Sequence, residues 1–412
     1  MKIERILEPA ADSLPPGYYS LPHVLLVVDG LAGPMGGGER IAVKIASLLP
    51  EFGYRASILT FQAPTRASVR AHPPCPIYLL PLTSAFNVAA LRAGYHLRRF
   101  LREEKVEIVQ TFFESSDLWA GLMTKLTSSA RLIWSRRDMG ILRASKHRVA
   151  YRLMARLPDR VFAVSDLVRK HCIEVDRIDS ARVETIYNGL DLDAWTRDEP
   201  VNRSSGVTVI TAVGNMRPVK GHDIFIRAAA QVAKQYPQTM FSIAGASADH
   251  AYAEELQRLV REFGLSDQFQ FAGSVGDLRG HFAGADIVVL PSRSEGFSNA
   301  IVEAMAMSLP VVATRVGGNA EAVQDNVTGY IVPPENPKAL AEAILRLLAD
   351  PERAREMGDA GRRLVSERFT ADMMMTRIRS AYDELRVAGR SSGAIVHRIP
   401  PTPTREEEAS SR

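Results

Sequence analysis

The feature that most constrains this chain is a rhythm. Short apolar runs alternate with longer helical stretches, and the pattern restarts once near the middle. The first run, His23-Val-Leu-Leu-Val-Val28, has no polar alternation. A strand with one face in water would alternate, so this one reads as covered on both faces, as in a parallel sheet. A helix is expected over 41–49, and further strands at 56–60, 77–80, 107–111, 131–134, 161–164 and 183–187. A polar, proline- and glycine-bearing stretch over 188–206 then breaks the order. Strands resume at 207–213, 240–245, 269–272, 286–290 and 309–314, and helices close the chain at 337–349, 352–367 and 371–387. Repeated strand–helix order predicts a doubly wound α/β sheet in each half. Ligands of open α/β sheets bind at the carboxyl ends of the strands, so the expected site is a cleft built from loops of both halves.

Composition sets the outer limits. A chain of 412 residues with 46% hydrophobic and 24% charged residues can bury two sizeable cores. No apolar run approaches the ~18 residues of a membrane-spanning helix. The two cysteines, Cys75 and Cys172, lack the spacing of a zinc site and suit a reducing compartment. The opening residues hold acids and prolines without an apolar core, so no secretory signal is expected. The net charge of +4 is small, but from Ala130 to Cys172 eleven Lys/Arg face three Asp. Over 145–157, Arg148, Arg152 and Arg156 recur every four residues, which puts them on one helix face. That face is either solvated or a contact for anionic lipid headgroups or a phosphorylated ligand. Nucleic acid is not an expected partner, because no binding motif and little aromatic interleaving accompany the charge.

Three loops carry candidate chemistry. In Pro291-Ser-Arg-Ser-Glu-Gly-Phe-Ser-Asn-Ala-Ile-Val-Glu303 a buried strand runs into a loop and a helix, with Ser298 as the N-cap. The free N–H groups that follow suit an anion. Glu295 precedes the helix and Glu303 lies inside it, so the two should reach different parts of one extended ligand, or Glu295 simply caps the helix. In Val213-Gly-Asn-Met-Arg-Pro-Val-Lys-Gly-His-Asp223, Arg217 and Lys220 stand at a strand's carboxyl end, where they suit a diphosphate. His222 reads as a helix-start residue. In Gly33-Pro-Met-Gly-Gly-Gly-Glu-Arg40, successive glycines let backbone N–H groups approach phosphate or sugar, or form a flexible turn. Val316-Gly-Gly318 offers the same two readings. Asp191-Leu-Asp193 has the form of a metal-holding pair but falls in the connection, and no metal is expected.

These elements, in this order, resemble glycosyltransferase family 4, most strongly across 207–385. The resemblance rests on Glu295 to Glu303 with the intervening Gly-Phe-Ser-Asn-Ala, Pro310-Val-Val-Ala-Thr before Val316-Gly-Gly318 and Glu321, Gly36-Gly-Gly-Glu39, Asn188-Gly189 with Asp191, and Arg368-Phe369. It implies a GT-B fold, two Rossmann-like doubly wound domains facing across a cleft. The expected organisation is a flexible extension at 1–20, an acceptor domain at 21–187, a linker at 188–206 and a nucleotide-sugar donor domain at 207–370. A helix at 371–388 would cross back to the first domain, ahead of a disordered tail at 389–412.

The resemblance also implies a retaining, metal-independent transfer of a sugar from a UDP- or GDP-sugar to a glycan or lipid-linked glycan. In that scheme Glu295, Arg217 and Lys220 are the catalytic group. Gly36, Gly37, Gly38, Gly214, Gly296, Phe297, Ser298, Asn299 and Glu303 bind the donor, with Glu303 on the ribose. Arg137 and Asp138 face the acceptor. Asn215 stands where many members carry arginine, and Arg217 would take its place. An epimerase of the same fold and a non-catalytic nucleotide-sugar-binding subunit are the alternatives. The expected location is cytoplasmic, with Arg148, Arg152 and Arg156 as a contact with the inner membrane face.

Overall fold

The computed structural model describes residues 2–10, 14–31, 36–62, 64, 73–82, 88–140, 145–196, 206–247 and 249–394. The N-terminal half forms an eight-stranded sheet from β1 (Glu4–Leu7), β2 (His23–Val28), β3 (Arg55–Thr60), β4 (Ile77–Leu79), β5 (Val106–Thr111), β6 (Arg131–Arg136), β7 (Arg160–Ala163) and β8 (Val183–Thr185). Their order is β1-β4-β3-β2-β5-β6-β7-β8. All pairings are parallel except β1 on β4. The C-terminal half forms a six-stranded parallel sheet from β9 (Val209–Val213), β10 (Met240–Ala244), β11 (Phe269–Gly273), β12 (Ile287–Leu290), β13 (Val311–Thr314) and β14 (Gly329–Val332). Its order is β11-β10-β9-β12-β13-β14. Both are two-sided, helix-covered sheets, and every residue of β2 is buried, as its unbroken apolar run requires.

The described start of the chain is not a loose extension. Glu4–Leu7 adds an antiparallel edge strand to β4, and Arg5 Nη2 donates to Tyr78 Oη at 2.7 Å. Tyr18 is buried, and its hydroxyl both donates to the Ala56 carbonyl at 2.6 Å and accepts the Ala56 N–H at 3.0 Å. The sequence does not announce this strand, because Glu4-Arg5 reads as polar, which suits an edge. β14 is the other strand not anticipated.

The halves are joined twice. At the junction, Leu190 N–H donates to the Phe369 carbonyl at 2.7 Å and Ala371 N–H to the Leu190 carbonyl at 2.8 Å. The two passes are so close that a Cβ on Gly189 would lie 2.3 Å from the Thr370 carbonyl oxygen, so only glycine fits. Residues 197–205 of the linker lie outside the described residues. The helix Ala371–Ala394 then lies on the N-terminal domain, where Met375, Ile378 and Tyr382 bury among Val24, Leu26, Ile58 and Phe162. Tyr382 also donates to Gln110 Oε1, and Tyr54 donates to Asp383 at 2.5 Å. The helix runs past 388 to Ala394, and the rest of the expected tail, 395–412, lies outside the described residues.

The basic helix is shorter than its sequence rhythm predicts. It spans Ser145–Leu153, so Arg156 lies in the turn beyond and does not share a helix face with Arg148 and Arg152. Pro158 disfavours helical backbone at Leu157, and the chain tightens there through Ala155 N–H to Arg152 O and Leu157 N–H to Met154 O. Arg152 Nε donates to the Val175 carbonyl at 2.8 Å. Val149 and Leu153 are exposed on this helix.

Candidate active site

Strand carboxyl ends from both sheets meet at the interdomain cleft. One cavity of about 390 Å³ is walled by Gly36–Gly38 from the N-terminal domain, the loop after β9 and the loop after β12. Its lining includes Arg217, Lys220, Glu295 and Glu303, so the separation along the chain of Glu295 and Glu303 still brings both to one site. Gly33 to Met35 of the glycine loop lie outside the described residues.

The loop after β9 is held from behind. His222 is buried, and its Nε2 donates to the Gly214 carbonyl at 2.9 Å. Burial pushes its pKa down to about 4, so the ring is neutral and structural. Lys220 Nζ reaches Glu295 Oε1 at 2.6 Å, and Ser292 Oγ donates to the same oxygen at 2.7 Å. This ion pair ties the two loops of the C-terminal domain together at the cavity wall. Arg217 is exposed at the rim, and Asn215 Oδ1 accepts the Ala246 N–H at 3.3 Å.

Ser298 occupies the N-cap position of the helix Asn299–Ala306, yet its side chain makes no capping bond. Glu303 is only 8% exposed, and its Oε2 is buried without a hydrogen-bond partner. Burial raises its pKa, while Arg40 and Lys44 oppose the rise. A buried carboxylate oxygen with no donor costs about 1–3 kcal/mol or more, and a ligand hydroxyl would remove that cost. Arg40 and Lys44 lie on the helix Gly37–Leu48 and were not singled out from the sequence. Both follow the glycine loop at helical spacing, which was the available signal. Lys44 Nζ donates to the Gly189 carbonyl at 3.0 Å. Asp191 acts on Lys44 as a counter-charge, and among the described residues no group of His, Cys, Asp or Glu is arranged to hold a metal ion.

The domains touch at the cleft. A Cβ on Gly296 would lie 1.9 Å from the Arg137 carbonyl oxygen. Arg137 Nη2 donates to Asn188 Oδ1, and Asn188 Nδ2 donates to Asn299 Oδ1 at 2.5 Å. That relay runs from the end of β6, through the junction, to the helix Asn299–Ala306. Glu321 adds a clasp by accepting the N–H groups of Asp166 and Leu167 at 2.8 and 2.9 Å. Val316-Gly-Gly318 packs behind Glu295 and Gly296, with Gly318 N–H on the Gly296 carbonyl at 2.9 Å, so it supports the site rather than lining it.

A second cavity, of about 470 Å³, adjoins the first on the N-terminal side. Both are lined by Arg137, Val219, Lys220, Glu295 and Gly296, which form their common wall. Asp138, absent from the first cavity, lines the second, where its Oδ1 accepts the Gly140 N–H at 2.6 Å. The described lining charges of the two cavities have opposite balance. The first has Arg40, Arg137, Arg217 and Lys220 against Glu295 and Glu303. The second has Arg136, Arg137 and Lys220 against Asp29, Glu114, Asp117, Asp138 and Glu295.

Comparison with known proteins agrees with this layout. Residues 35–194 match the family model Glycosyltransferase Family 4, and residues 193–364 match Glycosyl transferases group 1. A D-inositol 3-phosphate glycosyltransferase 2 of Catenulispora acidiphila is 33% identical over 49% of this chain and 50% of its own length. A D-inositol 3-phosphate glycosyltransferase of Mycobacterium tuberculosis is 34% identical over 58% of this chain and 52% of its own. The chain thus spans about half the length of these curated relatives. Among solved structures, Anabaena HepE in complex with UDP-glucose superposes with a TM-score of 0.78 at 22% identity, covering 88% of this chain and 99% of that one. A sucrose-phosphate synthase from Thermosynechococcus elongatus gives 0.78 at 21% identity, covering 89% and 100%. The chain is a GT-B-fold protein whose two domains each match a glycosyltransferase family model.

Proposed function

We propose that this protein is a retaining, metal-independent glycosyltransferase. It moves a sugar from a UDP- or GDP-sugar in the first cavity to a glycan or lipid-linked acceptor in the second. The observation that carries the reading is the shared wall: the Lys220–Glu295 pair borders both cavities. The sugar's anomeric carbon would sit there, with Arg217 and Lys220 beside the departing diphosphate. As the bond from that carbon to phosphate oxygen breaks, negative charge grows on the diphosphate, and these cations stabilise it without a metal ion. The acceptor hydroxyl bonds to the same carbon, and its proton leaves with the diphosphate. Cavities that meet at one wall suit leaving group and acceptor on the same side, hence retention. Glu303 would take the ribose hydroxyls, Gly36–Gly38 would close over the phosphates, and the N–H groups of Phe297, Ser298 and Asn299 would hold sugar and β-phosphate. The UDP-glucose complex of Anabaena HepE supports the donor class, and the names of the curated relatives put D-inositol 3-phosphate among acceptors to try.

The location that fits this role is cytoplasmic, with the N-terminal domain resting on an anionic membrane. Arg148 and Arg152 flank the exposed Val149 and Leu153 on one short helix, a pairing of charge and apolar surface suited to lipid headgroups. The decisive experiment is nucleoside diphosphate release and sugar transfer by the native protein and by Lys220→Ala and Glu295→Ala. Transfer with retained anomeric configuration, lost in both variants, is expected. Full turnover in both variants would refute the site assignment.

A further inference from the structure

The sequence rhythm sets Arg156 on one face with Arg148 and Arg152, but the structure turns it elsewhere. Arg156 lines a separate cavity of about 390 Å³ together with Arg177 and Arg182. Arg156 lies in the turn ahead of β7, and Arg177 and Arg182 lie in the segment ahead of β8. β7 and β8 are parallel, so this cavity stands at the amino ends of the strands. The cleft stands at the carboxyl ends. The cavity shares no described lining residue with either cavity of the cleft.

One of the three arginines builds the frame. Arg182 Nη1 donates to the Arg156 carbonyl at 3.0 Å and to the Pro158 carbonyl at 3.3 Å, which ties the two segments together. Ile178 N–H donates to the Cys172 carbonyl at 3.1 Å. Ala155 and Ile178, both buried, give the cavity an apolar lining.

The other two arginines hold nothing within the chain. Among the described residues, the side chains of Arg156 and Arg177 make no hydrogen bond and no ion pair, and both are exposed. Arg177 sits at φ 62°, a left-handed turn position that glycine or asparagine fills at less cost. The fold therefore does not account for an arginine there. The one carboxylate of the described lining, Asp179, uses Oδ1 to accept the Ala181 N–H at 3.0 Å. Three guanidinium groups around one cavity repel one another, and a bound anion would relieve that repulsion. Guanidinium forks match phosphate oxygens two N–H donors at a time. Cavities of roughly 300–1,000 Å³ hold small ligands, so there is room for a phosphoryl group and the group that carries it.

We propose that this cavity is a second ligand site, which binds a phosphoryl group through Arg156 and Arg177 on the frame built by Arg182. The phosphoryl group belongs to a soluble phosphate ester or to a lipid headgroup. The site does not depend on the transferase reading of the cleft.

The test puts two probes to the native full chain at low ionic strength. Glucose 6-phosphate is titrated by calorimetry, and phosphatidylcholine vesicles with and without phosphatidic acid are used in sedimentation. Both are repeated with Arg156→Ala combined with Arg177→Gly. Neither substitution removes an internal side-chain bond, and glycine suits the left-handed position, so this variant should keep its thermal stability. A control removes the same charge elsewhere, by Arg98→Ala with Arg102→Ala on the exposed face of the helix Val88–Glu103. At least one probe should bind the native chain, about tenfold or more weaker in the first variant and little changed in the control. Weakened glucose 6-phosphate binding assigns a soluble ester. Weakened sedimentation with phosphatidic acid, without glucose 6-phosphate binding, assigns a lipid. The proposal is overturned if neither probe binds, if the first variant binds both as the native chain does, or if the control weakens binding equally.

Discussion

The two cavities share a wall and differ in almost everything else. Among the described residues, the first is ringed by four cations and two carboxylates, the second by three cations and five carboxylates. In the first, the cations stand on loop ends and on the helix Gly37–Leu48, with Arg217 reaching the exposed rim. In the second, the one described cation outside the common wall, Arg136, is buried against Asp176 and Tyr151. Among the described residues, local charge thus divides the cleft into a net basic half and a net acidic half. A net charge of +4 for the whole chain says nothing of this division.

The largest expected effect breaks the common wall. Lys220→Ala or Glu295→Ala should lower kcat by about 10²–10³, the scale of losing one preorganised charge at a reacting centre. A loss confined to KM would mean that the pair binds but does not act in the transition state. Next is the packing of the C-terminal helix on the N-terminal domain. Tyr382→Ala removes a fully buried ring that joins the C-terminal helix to the N-terminal sheet, and should cost about 3–5 kcal/mol by denaturant titration. The C-terminal domain has a core of its own, so nucleotide binding by whatever remains folded would separate the two halves.

A pH series sharpens the contrast. In the proposed donor pose Glu303 accepts ribose hydroxyls when ionised, and burial raises its folded pKa. Donor affinity should therefore fall as pH drops through that raised value, above the range where an exposed Glu would protonate. Glu303→Gln should bind more weakly and lose that acidic limb. The smallest effect is on the outer face. Arg148→Ala with Leu153→Glu should change stability by no more than about 0.5 kcal/mol, while reducing sedimentation with vesicles containing phosphatidylglycerol. Equal sedimentation of the native chain with purely zwitterionic vesicles would argue against an electrostatic contact.

The fold was legible because buried parallel strands write themselves as unbroken apolar runs. His23–Val28 and Val311–Thr314 show this best. β1 was not legible, because an edge strand tolerates Glu4 and Arg5 and is fixed by Tyr78, far along the chain. The first cavity was readable because its loops are contiguous motifs, Gly36–Gly38, 214–220 and 295–303. Of the second, the sequence singled out Arg137 and Asp138 but not Asp29 and Glu114, which follow other strands and meet them only when the sheet forms. The helix carrying Arg148 and Arg152 was overextended because rhythm alone does not register the stop imposed ahead of Pro158.

The most direct test of the account is a calorimetric titration of UDP-sugars and GDP-sugars into the native chain and into Glu303→Ala. The account predicts saturable binding for one nucleotide class, weakened about tenfold or more in the variant. Binding that ignores the substitution, or no binding of either class to the folded native chain, would contradict it.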